Sequence, residues 1–223
     1  MESHPVLEKV MNAQLEEDIL HRAQAHDEDA INTLLESYAP VVFSYFRHMG
    51  LETRVAEDLA QDTFRAVWKA LPGFQGNSSL KTWILSIGRR IAFHHFRREK
   101  KKVSLVQLPE SSEYSGHLFE GEQLDPEQAF LQAERQYTLE MMLETLPRDE
   151  REVVVLHGLE ELSQREVAAL MGRSVGWVNK IWKRACVNIK KKLLKVYPTS
   201  TPAEILTDGL FGWRPQKTLI AGM

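Results

Sequence analysis

The sequence predicts an all-α fold: two small helical domains joined by a flexible acidic linker. Apolar residues recur at three- and four-residue spacing along most of the chain, and no segment shows strong strand alternation. This periodicity stops between residues 103 and 125, where Ser, Glu and Gly dominate. The predicted divisions are an N-terminal extension over 1–17, a first domain over 18–102, the linker over 103–125, a second domain over 126–197 and a tail over 198–223.

The first domain contains three predicted amphipathic helices. The first begins at Asp27, an N-cap, and Pro40 is expected to bend or split it. The second covers residues 53–71, and the third runs from the N-cap Ser79 to about residue 101. The predicted inward faces are Ile31, Leu34, Leu35, Tyr38, Val41, Val42, Tyr45, Phe46 and Met49; then Ala56, Leu59, Ala60, Phe64, Val67, Trp68 and Leu71; then Leu80, Trp83, Ile84, Ile87 and Ile91.

The composition narrows the class of protein. Among 223 residues, no run of about 18 apolar residues occurs, so no membrane span is expected. The N-terminus lacks a cationic start followed by an apolar block, so no secretory signal is expected. Cys186 is the only cysteine, which rules out an internal disulfide and fits a reducing cytoplasm.

Charge is distributed unevenly around a net value of −3. Residues 89–102 carry seven Lys and Arg against one Glu, a local charge of +6. Residues 179–195 carry seven Lys and Arg and no acid, a local charge of +7, whereas residues 103–126 carry −5. Two basic stretches on either side of an acidic one indicate two surfaces that contact polyanions, although charge alone also fits two solvated helix faces.

The second domain contains a helix-turn-helix pattern. Ser163 and Glu166 form a capping box at the start of one helix, and Gly172 ends it. Ser174 can cap the next helix, in which Val175, Val178 and Ile181 or Trp182 are predicted to face inward. The second helix presents cations away from this core, as a major-groove reader does. The alternative is a generic helical hairpin with a cationic face.

These motifs resemble a known family. Residues 56–98, AEDLAQDTFRAVWKALPGFQGNSSLKTWILSIGRRIAFHHFRR, are similar to region 2 of the extracytoplasmic-function (ECF) sigma factors of bacterial RNA polymerase. Residues 146–185, LPRDEREVVVLHGLEELSQREVAALMGRSVGWVNKIWKRA, are similar to region 4 of that family. The resemblance implies a non-enzymatic subunit without a cofactor, which binds core RNA polymerase and promoter DNA and is held by an anti-sigma factor.

The resemblance implies roles for three groups of residues. Binding of core polymerase falls to Glu57, Asp58, Gln61, Asp62 and Arg65. Capture of the minus-ten strand falls to Phe74, Gln75, Asn77, Ser78, Ser79, Arg89, Arg90, His94, Arg97 and Arg98. Contact with the minus-thirty-five duplex falls to Arg173, Ser174, Trp177, Asn179, Lys180, Lys183 and Arg184.

Several residues leave alternatives open. Phe74 either stacks on a base or anchors its loop, and Trp83 is interpreted as core. Trp177 and Trp182 replace the smaller residues usual in the family, and Asn179 predicts a preference for adenine where Arg would favour guanine. No metal is expected at His94 and His95, because adjacent helical side chains point about 100° apart.

Two other functions compete with this interpretation. A stand-alone helix-turn-helix regulator would bind DNA without polymerase, often as a symmetric dimer. A metal-dependent nuclease would use Glu57, Asp58 and Asp62, but no general base or phosphate-binding loop accompanies these carboxylates.

Overall fold

The computed structural model describes residues 17–103 and 136–196, and the secondary structure of these residues is helical without a strand. This finding confirms the predicted all-α class. The packing divides the described residues into two compact units, namely 17–44 with 54–103, and 45–53 with 136–196. Most of the extension, the linker and the tail lie outside the described residues, and the exact domain boundaries stay predictions.

Residues 17–103 contain four helices. Helix α1 covers residues 17–24; α2 is Glu28–His48, α3 is Thr53–Ala70 and α4 is Leu80–Val103. A 3-10 turn, Leu71–Gly73, follows α3. Asp27 caps α2, since its Oδ1 accepts a hydrogen bond from the Ala30 amide at 3.1 Å, as the sequence predicted.

Helix α2 continues through Pro40, so the alternative that Pro40 splits the helix is wrong. Proline removes one hydrogen bond to the carbonyl four residues earlier, at Glu36. Both Glu36 and Pro40 are exposed, so water can satisfy that carbonyl on the outer side of the helix.

The predicted inward faces of the three predicted helices, which are α2, α3 and α4 in the structure, are largely confirmed. Ile31, Ala56, Val67 and Ile84 are all buried. Trp68 was predicted to face inward as well, but 43% of its surface is exposed. It lies only one helical position from Val67, and the 3.6-residue period places it at the rim of the buried stripe rather than inside it.

The C-terminal half contains the helix-turn-helix. Helix α5 covers residues 136–144, α6 is Arg148–Val153 and runs on as one π-helical segment, Val154–Leu159. Helix α7 is Gln164–Met171 and α8 is Val175–Val196. Within the described ranges, none of the helices combines the length and the apolar character that crossing a bilayer demands.

Candidate polymerase and nucleic-acid interfaces

The outer face of α3 carries a polar cluster that we call the α3 face, which consists of Glu57, Asp58, Gln61, Asp62 and Arg65. Each of its five residues is exposed, and the buried side of the helix lies opposite. Arg65 donates to Asp62 across 2.6 Å and more weakly to Gln61 across 3.4 Å. An exposed pair of this kind adds little stability. The pair places charges of both signs side by side on the exposed face of one helix.

Trp68 extends the α3 face with an aromatic side chain, which the sequence interpretation missed. It follows Gln61 by seven residues and Arg65 by three, so the three residues share one side of the helix. Trp68 also borders an apolar depression whose lining includes Leu34 and Phe64. A partly exposed tryptophan beside a charged surface is typical of a protein–protein contact.

The loop between α3 and α4 is anchored at its start. The Phe74 ring contacts the Trp83 ring with 4.9 Å between centroids. The Gln24 side chain on α1 donates to the carbonyl oxygen of Phe74 at 2.8 Å and to that of Leu71 at 3.3 Å. Phe74 therefore fastens the loop, and Trp83 is half-buried beneath it. Sequence reasoning missed Gln24, because it is 50 residues from Phe74 along the chain.

The tip of this loop presents polar groups to solvent. Gly76 has a φ of +69°, a left-handed conformation that favours glycine. Gln75 and Asn77 flank it and are exposed. The Ser79 hydroxyl is committed to the start of α4, where it accepts from the Thr82 amide at 3.2 Å. Gln75 and Asn77 are thus better placed than Ser79 to meet a base edge.

Helix α4 displays the first basic surface. Arg90, His94, Arg97 and Arg98 are exposed, whereas Arg89 is half-buried. The spacing of Arg90, His94 and Arg97 puts them on one side of the helix.

Phe93 lies on the same side of α4 as Arg90 and Arg97, and 46% of its surface is exposed. Sequence reasoning missed this aromatic residue, although its position outside the apolar stripe was a usable signal. Basic groups with an exposed aromatic ring are a typical surface for single-stranded nucleic acid.

Local capping builds the helix-turn-helix as predicted. The Glu166 amide donates to the Ser163 hydroxyl at 3.2 Å, and the Ser163 amide donates to the Glu166 carboxylate at 2.9 Å. Gly172 ends α7 with a φ of +64°. The Ser174 hydroxyl caps α8 by accepting from the Trp177 amide at 3.2 Å. Both ends of α7 and the start of α8 are therefore satisfied by a neighbouring side chain or by a left-handed glycine.

The packing between α7 and α8 departs from prediction at one residue. Val178 and Ile181 are buried, as predicted, and Ala168 of α7 is buried as well. Val175 was predicted to face inward but is 42% exposed; it is the first residue of α8, where the helix has only begun.

Trp182 belongs to the core of the C-terminal half, since it is 9% exposed. Its ring meets the His157 ring edge to face at 4.7 Å between centroids. The His157 Nδ1 is hydrogen-bonded to the Leu162 carbonyl at 2.6 Å, which makes Nδ1 the protonated nitrogen. The larger side chain at position 182 is therefore accommodated by packing against the π-helical segment.

The outer side of α8 is the second basic surface. Lys180, Lys183 and Arg184 are exposed, and Asn179 is half-buried. Arg173, just before α8, stacks over the Trp177 ring at 5.2 Å from its centroid. This contact holds Arg173 and Trp177 together at the start of the helix that a helix-turn-helix inserts into the major groove.

The remaining candidates for chemistry are the single cysteine and the side chains that could bind a metal ion. Burial raises the pKa of the Cys186 thiol to about 12, so the thiol is protonated and inert at neutral pH. Within residues 17–103 and 136–196, His, Cys, Asp and Glu side chains form no group of three or more that suits a metal ion.

Comparisons with known proteins agree with this arrangement. The family model "Sigma-70 region 2" matches residues 34–102, and "Sigma-70, region 4" matches residues 137–189. RNA polymerase sigma factor YlaC of Bacillus subtilis is 31% identical over 167 residues, which cover 75% of this chain and 94% of that protein.

The ECF RNA polymerase sigma-E factor of Salmonella typhimurium is 30% identical over 189 residues, which cover 82% of this chain and 97% of that protein. The chain belongs to the ECF sigma factors of the sigma-70 family.

A solved structure agrees with this assignment. The solved structure of sigma factor RpoE from Bartonella quintana, in complex with the anti-sigma factor NepR, matches with a TM-score of 0.59 and 25% identity, covering 74% of this chain and 96% of that one. The two helical domains of this ECF sigma factor are thus region 2 and region 4.

Proposed function

We propose that this ECF sigma factor binds core RNA polymerase and directs it to a chosen set of promoters. The observation that carries the proposal is the presence in one chain of an acid-rich α3 face and two basic helix surfaces. A stand-alone regulator needs basic surfaces for DNA but has no need of the acid-rich α3 face. Three separate surfaces fit a protein that contacts a polymerase and two segments of DNA.

The α3 face is the proposed polymerase-binding surface. Its exposed carboxylates suit a basic partner helix, and Trp68 supplies an apolar anchor at the end of the same face. Charged groups at such an interface provide orientation and partner selection, while the buried aromatic anchor supplies affinity.

The loop around Gly76 and the basic side of α4 form the proposed minus-ten surface. Asn77 and Gln75 can hydrogen-bond an unstacked base, while Arg90 and Arg97 contact the phosphates that follow. The anchoring of Phe74 supports this role, because a loop held at its start spends less conformational entropy when a base binds.

Helix α8 is the proposed reader of the minus-thirty-five duplex. Asn179 faces a base edge and favours adenine, whereas Lys180 and Lys183 neutralise phosphates. Region 2 and region 4 each bind DNA weakly on their own. On one polymerase, the second contact becomes intramolecular, so overall affinity rises without further contacts.

Binding to a fluorescent promoter fragment, with and without purified core polymerase, tests the proposal. We expect weak binding by the free chain and tight, salt-sensitive binding by the complex with core. Specific binding of equal strength without core would favour the stand-alone regulator and overturn the proposal.

Charge reversal on the α3 face tests the polymerase contact. We expect Asp62→Lys to weaken core binding at least about tenfold, since a like charge then faces the basic partner. Glu36→Lys is the matched control, because Glu36 is exposed on α2 and outside the α3 face. An equal loss of affinity for core polymerase in both variants would show that overall charge, and not the α3 face, causes the effect.

We further propose control by an anti-sigma factor, as the similarity to the complex of RpoE with NepR supports. Such a partner would compete with core polymerase for the α3 face. A stress or other external signal would release it. Since polymerase and chromosome share the bacterial cytoplasm, the proposal places the chain there, and the proposed role involves no covalent step.

A further inference from the structure

A buried carboxylate in region 4 lies beneath the DNA-facing helix. Glu150 is on α6, and only 2% of its surface is exposed. Its Oε1 accepts a hydrogen bond from Arg184 Nε at 2.5 Å. Its Oε2 accepts one from Asn188 Nδ2 at 2.7 Å. Each carboxylate oxygen therefore has its own donor, and both donors come from α8, four residues apart on one side of the helix.

This arrangement fixes the Arg184 side chain. A buried carboxylate without partners is strongly unfavourable, so the two donors stay in place while region 4 is folded. Arg184 contributes a planar guanidinium whose orientation follows from the bond at Nε. The rest of that group points outward, since 53% of the side chain is exposed. Four N–H groups besides Nε–H remain on the guanidinium.

The exposed edge of Arg184 lies on the DNA-facing side of α8. Arg184 follows Lys180 by four residues, so the two cations share one side of the helix. A guanidinium held at Nε presents its outer nitrogens as a fixed fork, which matches phosphate oxygens. The bond to Glu150 also restricts the rotation that Arg184 would need to follow a base edge.

We infer that Glu150 is a positioning residue that aims Arg184 at one phosphate of the minus-thirty-five duplex. Arg184 then adds affinity without base preference, in contrast to Asn179. Asn188 completes the support by occupying the second carboxylate oxygen. This inference rests on the proposed function, because it specifies how region 4 meets its DNA.

The test is the salt dependence of promoter binding by the full chain with core polymerase. One phosphate contact contributes about 0.9 to the slope of log affinity against log salt. If the two proteins bind with equal affinity at 1 M salt, a slope difference of about 0.9 gives about an eightfold lower affinity at 0.1 M monovalent salt when the contact is removed. We expect Arg184→Gln to produce both changes, by the same factor on every minus-thirty-five sequence.

Glu150→Gln separates positioning from simple charge. If Glu150 only offsets the charge of Arg184, its removal leaves a more positive surface, and promoter binding becomes tighter with a steeper salt slope. If Glu150 aims Arg184, the variant binds more weakly with a shallower slope. Asp149→Asn is the matched control, because it removes an exposed carboxylate from the adjacent position; it should not weaken binding.

The outcomes distinguish this inference from the proposed function. Tighter binding by Glu150→Gln, or a changed base preference in Arg184→Gln, overturns the inference and leaves the function intact. Failure of the wild-type chain to bind a promoter with core overturns the function itself. If Glu150→Gln does not fold, Arg184→Lys carries the test, since an ammonium lacks the planar fork that bonds Glu150 at one edge and offers its outer nitrogens to the phosphate. An unchanged slope in Arg184→Lys would refute the inference.

Discussion

Replacing Gln24 with alanine should loosen the loop that begins at Phe74. The Gln24 amide donates to two carbonyl oxygens, those of Phe74 at 2.8 Å and of Leu71 at 3.3 Å. The Leu71 oxygen also accepts from the Phe74 amide at 3.0 Å, so it keeps a partner in the variant. The loss is therefore close to one hydrogen bond, worth about 1 kcal/mol.

This energy sets the expected size of the effect. A change of about 1 kcal/mol in the opening of the loop raises the open population about fivefold. Hydrogen–deuterium exchange of the amides in residues 74–79 should accelerate by about that factor, while exchange in the middle of α3 stays unchanged. Formation of the open promoter complex, followed by a fluorescent base analogue in the minus-ten element, should weaken measurably and by no more than the same factor.

A matched variant and two refuting results complete this prediction. His21→Ala changes an exposed neighbour on α1 and should leave both measurements unaltered. Unchanged exchange in folded Gln24→Ala would show that Gln24 does not anchor the loop. Faster exchange with unaltered promoter opening would show that the anchored loop is not used for capture of the minus-ten strand.

Three further predictions concern stability, reactivity and strand binding. Gly172→Ala should destabilise region 4 by about 1–2 kcal/mol in thermal unfolding, because Gly172 has a φ of +64°. Gly176→Ala should stabilise region 4 by about 0.5–1 kcal/mol, because Gly176 lies within α8 and alanine favours a helix. Equal effects of the two variants would contradict the role of Gly172 as a helix cap. Native Cys186 should resist alkylation at pH 8. Since its pKa is about 12 in the fold against 9.0 when unperturbed, its contribution to stability should persist below pH 9 and decline above it; rapid native alkylation would contradict this. Phe93→Ala should weaken binding of a minus-ten single strand by the complex with core, by up to about 1–3 kcal/mol, and Phe93→Trp should retain it; equal losses in both would exclude stacking.

Local signals made the helices and their ends predictable. Asp27, Ser79, Ser163 and Ser174 act on amides within three residues, and Gly172 adopts the left-handed conformation that its position required. These interactions depend only on nearby sequence. The family resemblance then identified the order of the two domains, and the comparisons confirmed it.

Burial at helix edges and long-range contacts were not predictable. Trp68 lies at the rim of its buried stripe and Val175 at the first position of α8, and their apolar character led to the wrong prediction that both belong to the core. Gln24 and Glu150 meet partners 50 and 34 residues away, and neither spacing carries a motif. The roles of the three surfaces rest on the resemblance and stay predictions.

Start-site mapping of transcripts made by purified core polymerase tests the central claim most directly. With a library of randomised promoters, addition of this chain should create a defined set of new start sites that share minus-thirty-five and minus-ten elements. The same transcripts with and without the chain would contradict the account.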